Sequence, residues 1–285
     1  MIISRTPFRI SFFGGGTDYP VWYRENGGRV ISTTIDKYCY VTLRVLPPFF
    51  KYKHLLRYFE REEANTIDEI KHPSIRECLK YINMNKNIEL VHHADLPAQS
   101  GLGSSSTFTV GLLMAGYALN NQMRTKSQLA HDAIEIEQRR IGEAVGSQDQ
   151  TAAAFGGFNR INFGGHRELE VTPLTISTEK IRNLQDHLML FFTGFSRNAS
   201  DIAQKQIEIT SSKTKELDFM VEICKEAEEL LVSSENGFLE WGELLNEQWK
   251  VKKSMTNLIT NSKIDEMYEQ AIRSGALGGK LLGAG

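Results

Sequence analysis

The segment with the clearest chemical capacity is Pro97-Ala98-Gln99-Ser100-Gly101-Leu102-Gly103-Ser104-Ser105-Ser106, which leads straight into an apolar run over 108–119. Gly101 and Gly103 let the backbone approach a ligand closely and turn its amides inward. A helix starting around 104–106 adds unpaired N–H groups and the positive end of its dipole, so phosphate is the ligand such a loop favours. The three serine hydroxyls can cap the helix, touch a phosphate oxygen or reach a magnesium ion. No Gly-Lys-Ser/Thr follows, which excludes a Walker A loop, and Ser106 stands where GxGxxG needs its third glycine. A turn that merely caps a buried helix is equally compatible with these residues.

Two carboxylates stand near this loop in the chain. Over 127–145, Ala130, Ala133, Ile134, Ile141, Ala144 and Val145 define an apolar helical face, and Glu137 falls inside it. A carboxylate on a packed face needs a cation: a magnesium ion carrying phosphate, or a neighbouring Arg or Lys in an internal salt bridge. Asp149 follows that helix and Gly146, placed either to face a cavity or to cap a turn. Arg9 and Asp18 flank the glycines 14–16, one before and one after. Phosphoryl transfer to a hydroxyl uses such a pair, one group fixing the acceptor and the other offsetting charge on oxygen. A strand-edge salt bridge uses the same two residues.

The elements that must position these groups follow from periodicity. Phe8, Ile10 and Phe12 alternate with Arg9, Ser11 and Phe13, predicting a strand that delivers the chain into Gly14-Gly15-Gly16. A second strand is predicted within 30–45, which is rich in β-branched and aromatic residues. Residues 53–73 read as mixed helix and loop, 75–84 as a helix, 88–92 as a strand and 157–163 as a turn followed by a strand. Leu188-Met189-Leu190-Phe191-Phe192-Thr193-Gly194 reads as a buried strand, and 200–208 as the start of a helical region. Apolar residues three and four apart over 217–231, and again over 262–273, predict amphipathic helices. The character changes near residue 180, giving an N-terminal lobe over 1–180 and a C-terminal lobe over 181–285.

Composition bounds the function classes. With 285 residues and 33 Lys plus Arg against 35 Asp plus Glu, the formal charge of -2 gives no basic footprint for nucleic acid. Cys39, Cys78 and Cys224 lie far apart with no CxxC pair, so they read as core thiols in a reducing compartment. The longest apolar stretch, 110–119, is too short to cross a bilayer. The N-terminus carries no secretory pattern, and the expected location is cytoplasmic.

Three ordered segments together resemble the superfamily of galactokinase, homoserine kinase, mevalonate kinase and phosphomevalonate kinase (GHMP kinases). They are Thr6-Pro7-Phe8-Arg9-Ile10-Ser11-Phe12-Phe13-Gly14-Gly15-Gly16-Thr17-Asp18-Tyr19-Pro20, then 97–106, then Gly279-Lys280-Leu281-Leu282-Gly283-Ala284-Gly285. The Gly-Gly-Gly-Thr-Asp-Tyr-Pro form, with Val145-Gly146-Ser147-Gln148-Asp149-Gln150 and residues 192–199, resembles D-glycero-D-manno-heptose 7-phosphate kinases. Fucokinase-like and galactokinase-like sugar kinases are the nearest alternatives, and a non-catalytic sensor on the same fold is a further one. The resemblance implies an α+β, two-lobed fold: a mixed α/β N-terminal lobe with left-handed crossover character, and a helix-rich, ferredoxin-like C-terminal lobe. It implies ATP and Mg2+ as cofactors, a small sugar phosphate as substrate, and a monomer or homodimer that engages neither nucleic acid nor membrane.

Residue by residue, the resemblance makes Asp149 the base or electrostatic partner of the acceptor hydroxyl and Arg9 the basic group near the transferred phosphoryl. Pro97, Ser100, Gly101, Leu102, Gly103, Ser104, Ser105 and Ser106 wrap the nucleotide phosphates. Glu137 and Ser105 hold the metal. Gly15, Gly16, Thr17, Asp18, Tyr19 and Gly194 line the substrate, with Asp18 on the sugar hydroxyls. Arg197 is assigned to the substrate's phosphate on its two-donor geometry, with a surface role as the alternative. Family members continue the third segment into further glycines, so an end at Gly285 is expected to loosen the cleft.

Overall fold

The computed structural model describes residues 1–194, 199–233 and 237–283. Its spine is a pair of long antiparallel strands, β1 (Ile2–Phe13) and β2 (Gly28–Val45), joined through the glycine loop 14–16 and α1 (Pro20–Asn26). β2 is long enough to serve two further partners. Its second half pairs antiparallel with β5 (Ile88–Ala94), and its first half with β6 (Phe158–Phe163). Outside these lie β3 (His54–Arg57), parallel to β5, then β4 (Arg61–Ala64) on one edge and β7 (Leu169–Pro173) on the other. The mixed sheet predicted for the first lobe is therefore present. Residues 53–73, read as helix and loop, instead supply the β3–β4 hairpin and a single 3-10 turn.

Helices α2 (Pro73–Tyr81), α3 (Ser104–Leu119) and α4 (Lys126–Glu135) cover one part of the sheet. Phe8, Val41, Leu43 and Leu90 from the strands pack there against Leu79, Leu112, Leu113 and Ala133. Each fully buried side chain of this size contributes about 1.5–3 kcal/mol. α5 (Gln148–Phe155) follows, then α6 (Thr178–Asp186), α7 (Ala199–Ile209), α8 (Thr214–Ser233), α9 (Phe238–Met255) and α10 (Ser262–Arg273). Phe12, Phe13 and Ile31 meet α8 and α9 in a second core built around Ile223, Leu231 and Trp241. A third core joins Trp22 of α1 to Met220, Trp249 and Ile264. All three cysteines are buried free thiols, as expected.

The C-terminal lobe is helix-rich as predicted, but its described residues form no strand pairing, so the ferredoxin-like pattern is present there only in its helices. Residues 188–194, predicted as a buried strand, are irregular, with Met189 84% and Phe192 70% exposed. The reason is pairing: strand backbone must send its N–H and C=O groups to a neighbour, and no described strand lies alongside. No helix among the described residues is long and apolar enough to cross a membrane.

Candidate active site

The loop before α3 is shaped by Gly101, at φ 72°, where a Cβ would lie 2.6 Å from the carbonyl oxygen of Leu282. The third glycine segment thus lies directly on the loop. Gly103, also left-handed, is the N-cap of α3 and offers no capping side chain. The amides at the start of a 16-residue helix are consequently left for an anion. Leu102 is buried, and its carbonyl accepts from Arg9 N, fixing the loop against β1. Ser100 Oγ is buried with no partner, while Pro97 is exposed.

Arg9 comes from β1 between two register shifts, Pro7/Arg9 and Ser11/Phe13, the kind of bulged strand that re-aims side chains beside sites. It is 3% exposed, and its guanidinium forks onto Asp149, Nε to Oδ1 at 2.8 Å and Nη2 to Oδ2 at 2.6 Å. The remaining Nη1 donates to Gly101 O at 2.8 Å. A two-bond fork fixes the plane of the carboxylate as well as its charge. Asp149 sits in the first turn of α5 and keeps 26% side-chain exposure, so it faces open space while Arg9 holds it from behind. Both lie against the loop: a Cβ on Gly103 would be 3.4 Å from Asp149 Oδ2.

The sequence offered Asp18 as Arg9's companion, and the structure gives that place to Asp149. Asp18 is buried and takes Gly16 N on Oδ1 and Gln148 N on Oδ2. Burial, and then the charge of Asp149, hold its carboxyl above the usual range. A Cβ on Gly146 would fall 1.8 Å from Asp18 Oδ2, so glycine is required there for the carboxylate to fit. Asp18 therefore ties the first glycine loop to the start of α5. Thr17 is fully buried and donates to Gly14 O and sits 3.1 Å from Arg29 O. Tyr19 is buried and donates to Gln206, and burial raises its hydroxyl's pKa further. The hydroxyls of these two side chains brace the loop through protein partners. Gly15 and Gly16 are buried as well, Gly15 beside Ser11, Gln148 and Lys280 and Gly16 beside Leu217. Gly194 has open space about it, and Arg197 lies outside the described residues.

Glu137 is fully buried, on a π-helical turn (Ile136–Ile141) that continues α4. Such turns recur at functional sites because the extra residue rotates one side chain off the regular face. Its Oε2 accepts from Ser106 Oγ at 2.8 Å and from Gln150 Nε2, while Oε1 is buried with no partner. Burial pushes its carboxyl up to about 7, against the hydroxyls of Thr109 and Ser106 and the amide of Gln150, which pull it down. Of the two readings open in the sequence, the internal salt bridge has no counterpart among the described residues. The serine beside it is Ser106, not Ser105. Ser105 is exposed, because one residue of helix turns a side chain about 100° away.

An unpartnered carboxylate oxygen beside a hydroxyl in the first turn of α3 suits a hard cation. Among the described residues no group of three His, Cys, Asp or Glu could cage a metal. That pattern fits magnesium, which takes one or two carboxylates and completes its shell with phosphate and water. Two groups escaped the sequence reading. Gln150 is fully buried in the first turn of α5. Lys280 reaches back from the third glycine segment to donate to Ser11 O at 2.9 Å and Phe12 O at 3.2 Å. Its only sequence signal was its place among glycines.

The family model described as GHMP kinases N terminal domain matches residues 70–157. The D-glycero-alpha-D-manno-heptose 7-phosphate kinase of Campylobacter jejuni is 31% identical over 297 residues, covering 100% of this chain and 86% of that protein. A bifunctional fucokinase/GDP-fucose pyrophosphorylase of Arabidopsis thaliana is 24% identical over 311 residues, 98% of this chain but 28% of its own length. The crystal structure of a D-glycero-D-manno-heptose 1-phosphate kinase from Bacteroides thetaiotaomicron superposes with a TM-score of 0.80 at 23% identity, covering 100% of this chain and 86% of that one. With its two-lobed α+β architecture, its loop-capped α3 and whole-length identity to a named member, the chain belongs to the GHMP kinase family.

Proposed function

We propose that this protein transfers the γ-phosphoryl group of ATP to the anomeric C1 hydroxyl of D-glycero-D-manno-heptose 7-phosphate, giving the 1,7-bisphosphate used in nucleotide-activated heptose synthesis. The observation that carries the reading is the Arg9–Asp149 fork set against the amides that open α3, with the open oxygen of Glu137 behind them. The amides of the 101–106 loop hold the nucleotide phosphates, and Glu137 with Ser106 holds magnesium, which supplies positive charge at the phosphates. Asp149 orients the acceptor hydroxyl and takes its proton as that oxygen bonds to the γ-phosphorus and the bond to the β-bridging oxygen breaks. Arg9 offsets the charge that gathers on the transferred group. Gly15 and Gly16 form the floor on which the acceptor lies.

The heptose substrate is supported by the whole-length 31% identity to the Campylobacter jejuni enzyme, against 24% for the fucokinase relative. The test is phosphoryl transfer from Mg·ATP to a panel of sugars and sugar phosphates. Turnover confined to heptose 7-phosphate among them is the expected result. Higher kcat/KM with fucose or galactose would replace the substrate assignment, and no transfer to any acceptor would favour a sensor on the same fold.

A further inference from the structure

Gly15 stands between two glycines whose backbones demand glycine, Gly14 at φ 80° and Gly16 at φ 110°, yet its own backbone lies outside the left-handed region. A Cβ built on it would meet Gln148 Nε2 at 3.6 Å, Ser11 Oγ at 3.8 Å and Lys280 Nζ at 3.9 Å, all ordinary contact distances. Neither conformation nor crowding calls for a missing side chain here. What its absence leaves is a buried recess with room for a single heavy atom, ringed by a hydroxyl from β1, an amide from α5 and an ammonium from the third glycine segment.

The ring is built but unsatisfied. Ser11 is 4% exposed, and its Oγ has no hydrogen-bond partner, while the Gln148 amide turns its donor nitrogen toward the same point. Buried polar atoms of this kind are destabilising unless something meets them. Lys280 Nζ gives two of its three donors to the carbonyls of Ser11 and Phe12. Burial, and then the charges of Lys252 and Arg9, disfavour its ammonium form, and the carboxylate of Asp18, which already accepts two backbone N–H groups, offsets them only in part. Arg9 is matched by Asp149, whereas Lys280 is held by neutral carbonyls, a weaker partner for a buried cation than an anionic oxygen.

We propose that this recess is an anion subsite that takes a phosphoryl oxygen of the acceptor, held by Lys280 Nζ, Ser11 Oγ and the Gln148 amide. The choice of acceptor rests on the phosphotransfer reading above; the recess stands on its geometry alone. Gly103 of the 101–106 loop meets Arg9 and Asp149, while the recess meets Gln148 and Lys280 beside the first glycine loop, the loop that the proposed function gives to the acceptor. A sugar phosphate satisfies this site and a neutral sugar does not.

The test uses the full chain saturated with Mg·AMP-PNP, so that the nucleotide positions are filled, and titrates inorganic phosphate while following thermal unfolding. The wild type is expected to show a saturable rise in Tm. Gly15→Ala fills the recess at a backbone that accepts alanine, so its own Tm is expected to equal or exceed the wild type. In Gly15→Ala and Lys280→Met the phosphate-induced rise should be lost. KM for the sugar phosphate should rise about tenfold or more, the loss of one charge-assisted bond, with KM for ATP unchanged. Wild-type phosphate binding by Gly15→Ala, or a phosphate effect that vanishes once AMP-PNP is bound, would overturn the proposal. Should the wild type phosphorylate no sugar while phosphate binding is still lost in both variants, the subsite stands and the phosphotransfer reading fails.

Discussion

Glu137 provides the most quantitative perturbation. Its carboxyl is raised from an ordinary 4.5 to about 7 by burial, so the folded state holds its proton more tightly than the unfolded chain does. Between those values the unfolded state releases the proton first, and stability falls as pH rises. The stabilising contribution is complete below about 4.5 and is gone once pH passes the folded value near 7. At 1.36 kcal/mol per unit, the full shift corresponds to about 3 kcal/mol, of which about 2–3 kcal/mol falls between pH 5 and 8.5. Glu137→Gln removes the titration while leaving an oxygen for Ser106. Urea unfolding of both proteins, in EDTA and without nucleotide, measures the difference at each pH. The variant should gain on the wild type by about 2–3 kcal/mol across that range. Parallel stability curves would show that the carboxylate is ionised in the free protein without penalty, and would refute the argument from its orphaned oxygen.

Other perturbations separate chemistry from scaffold. Asp149→Asn should lower kcat by about 10²–10⁴ with little loss of ATP affinity, since the general base goes while the loop stays; a near-wild-type rate removes Asp149 from the chemistry. Gly101→Ala places a side chain at φ 72° and 2.6 Å from Leu282 O, which should cost about 1–3 kcal/mol and weaken nucleotide binding in equilibrium titration. Glu228 bridges Arg29 at 2.8 Å and Arg160 at 2.9 Å, joining β2 and β6 to α8. Glu228→Ala leaves two half-buried guanidinium groups unpaired and should destabilise by about 2–3 kcal/mol in urea without altering either KM.

The parts of this fold that sequence reveals are those whose signal is local. The glycine–serine loop announces itself by composition, and α8 and α10 by their apolar stripes. Glu137 stood out because it interrupts such a stripe, although the helix carrying it ends in a π-turn at Ile141 rather than running to 145. No residue pattern encodes that turn. α9 went unread because its buried stripe includes Gln248 and Lys252, polar residues used as tertiary partners. Gln248 accepts from Gly14 N and donates to Phe12 O, and Lys252 donates to Gly283 O. Their burial is a property of the assembled fold and cannot be read from a hydrophobic pattern. The same holds for Arg9: its place on β1 was legible, but the exchange of Asp18 for Asp149 depends on how α5 docks. Ser105 and Ser106 differ by one helical step, which composition cannot resolve.

In the proposed mechanism, nucleotide phosphates and their magnesium ion lie between the first turn of α3 and the open oxygen of Glu137. Calorimetric titration of AMP-PNP at stepped Mg2+ concentrations tests it most directly, comparing the wild type with Glu137→Gln. Nucleotide affinity that strengthens with Mg2+ in the wild type, and loses that dependence in the variant, is the expected result. An identical Mg2+ dependence in both proteins would place the metal elsewhere and contradict the account.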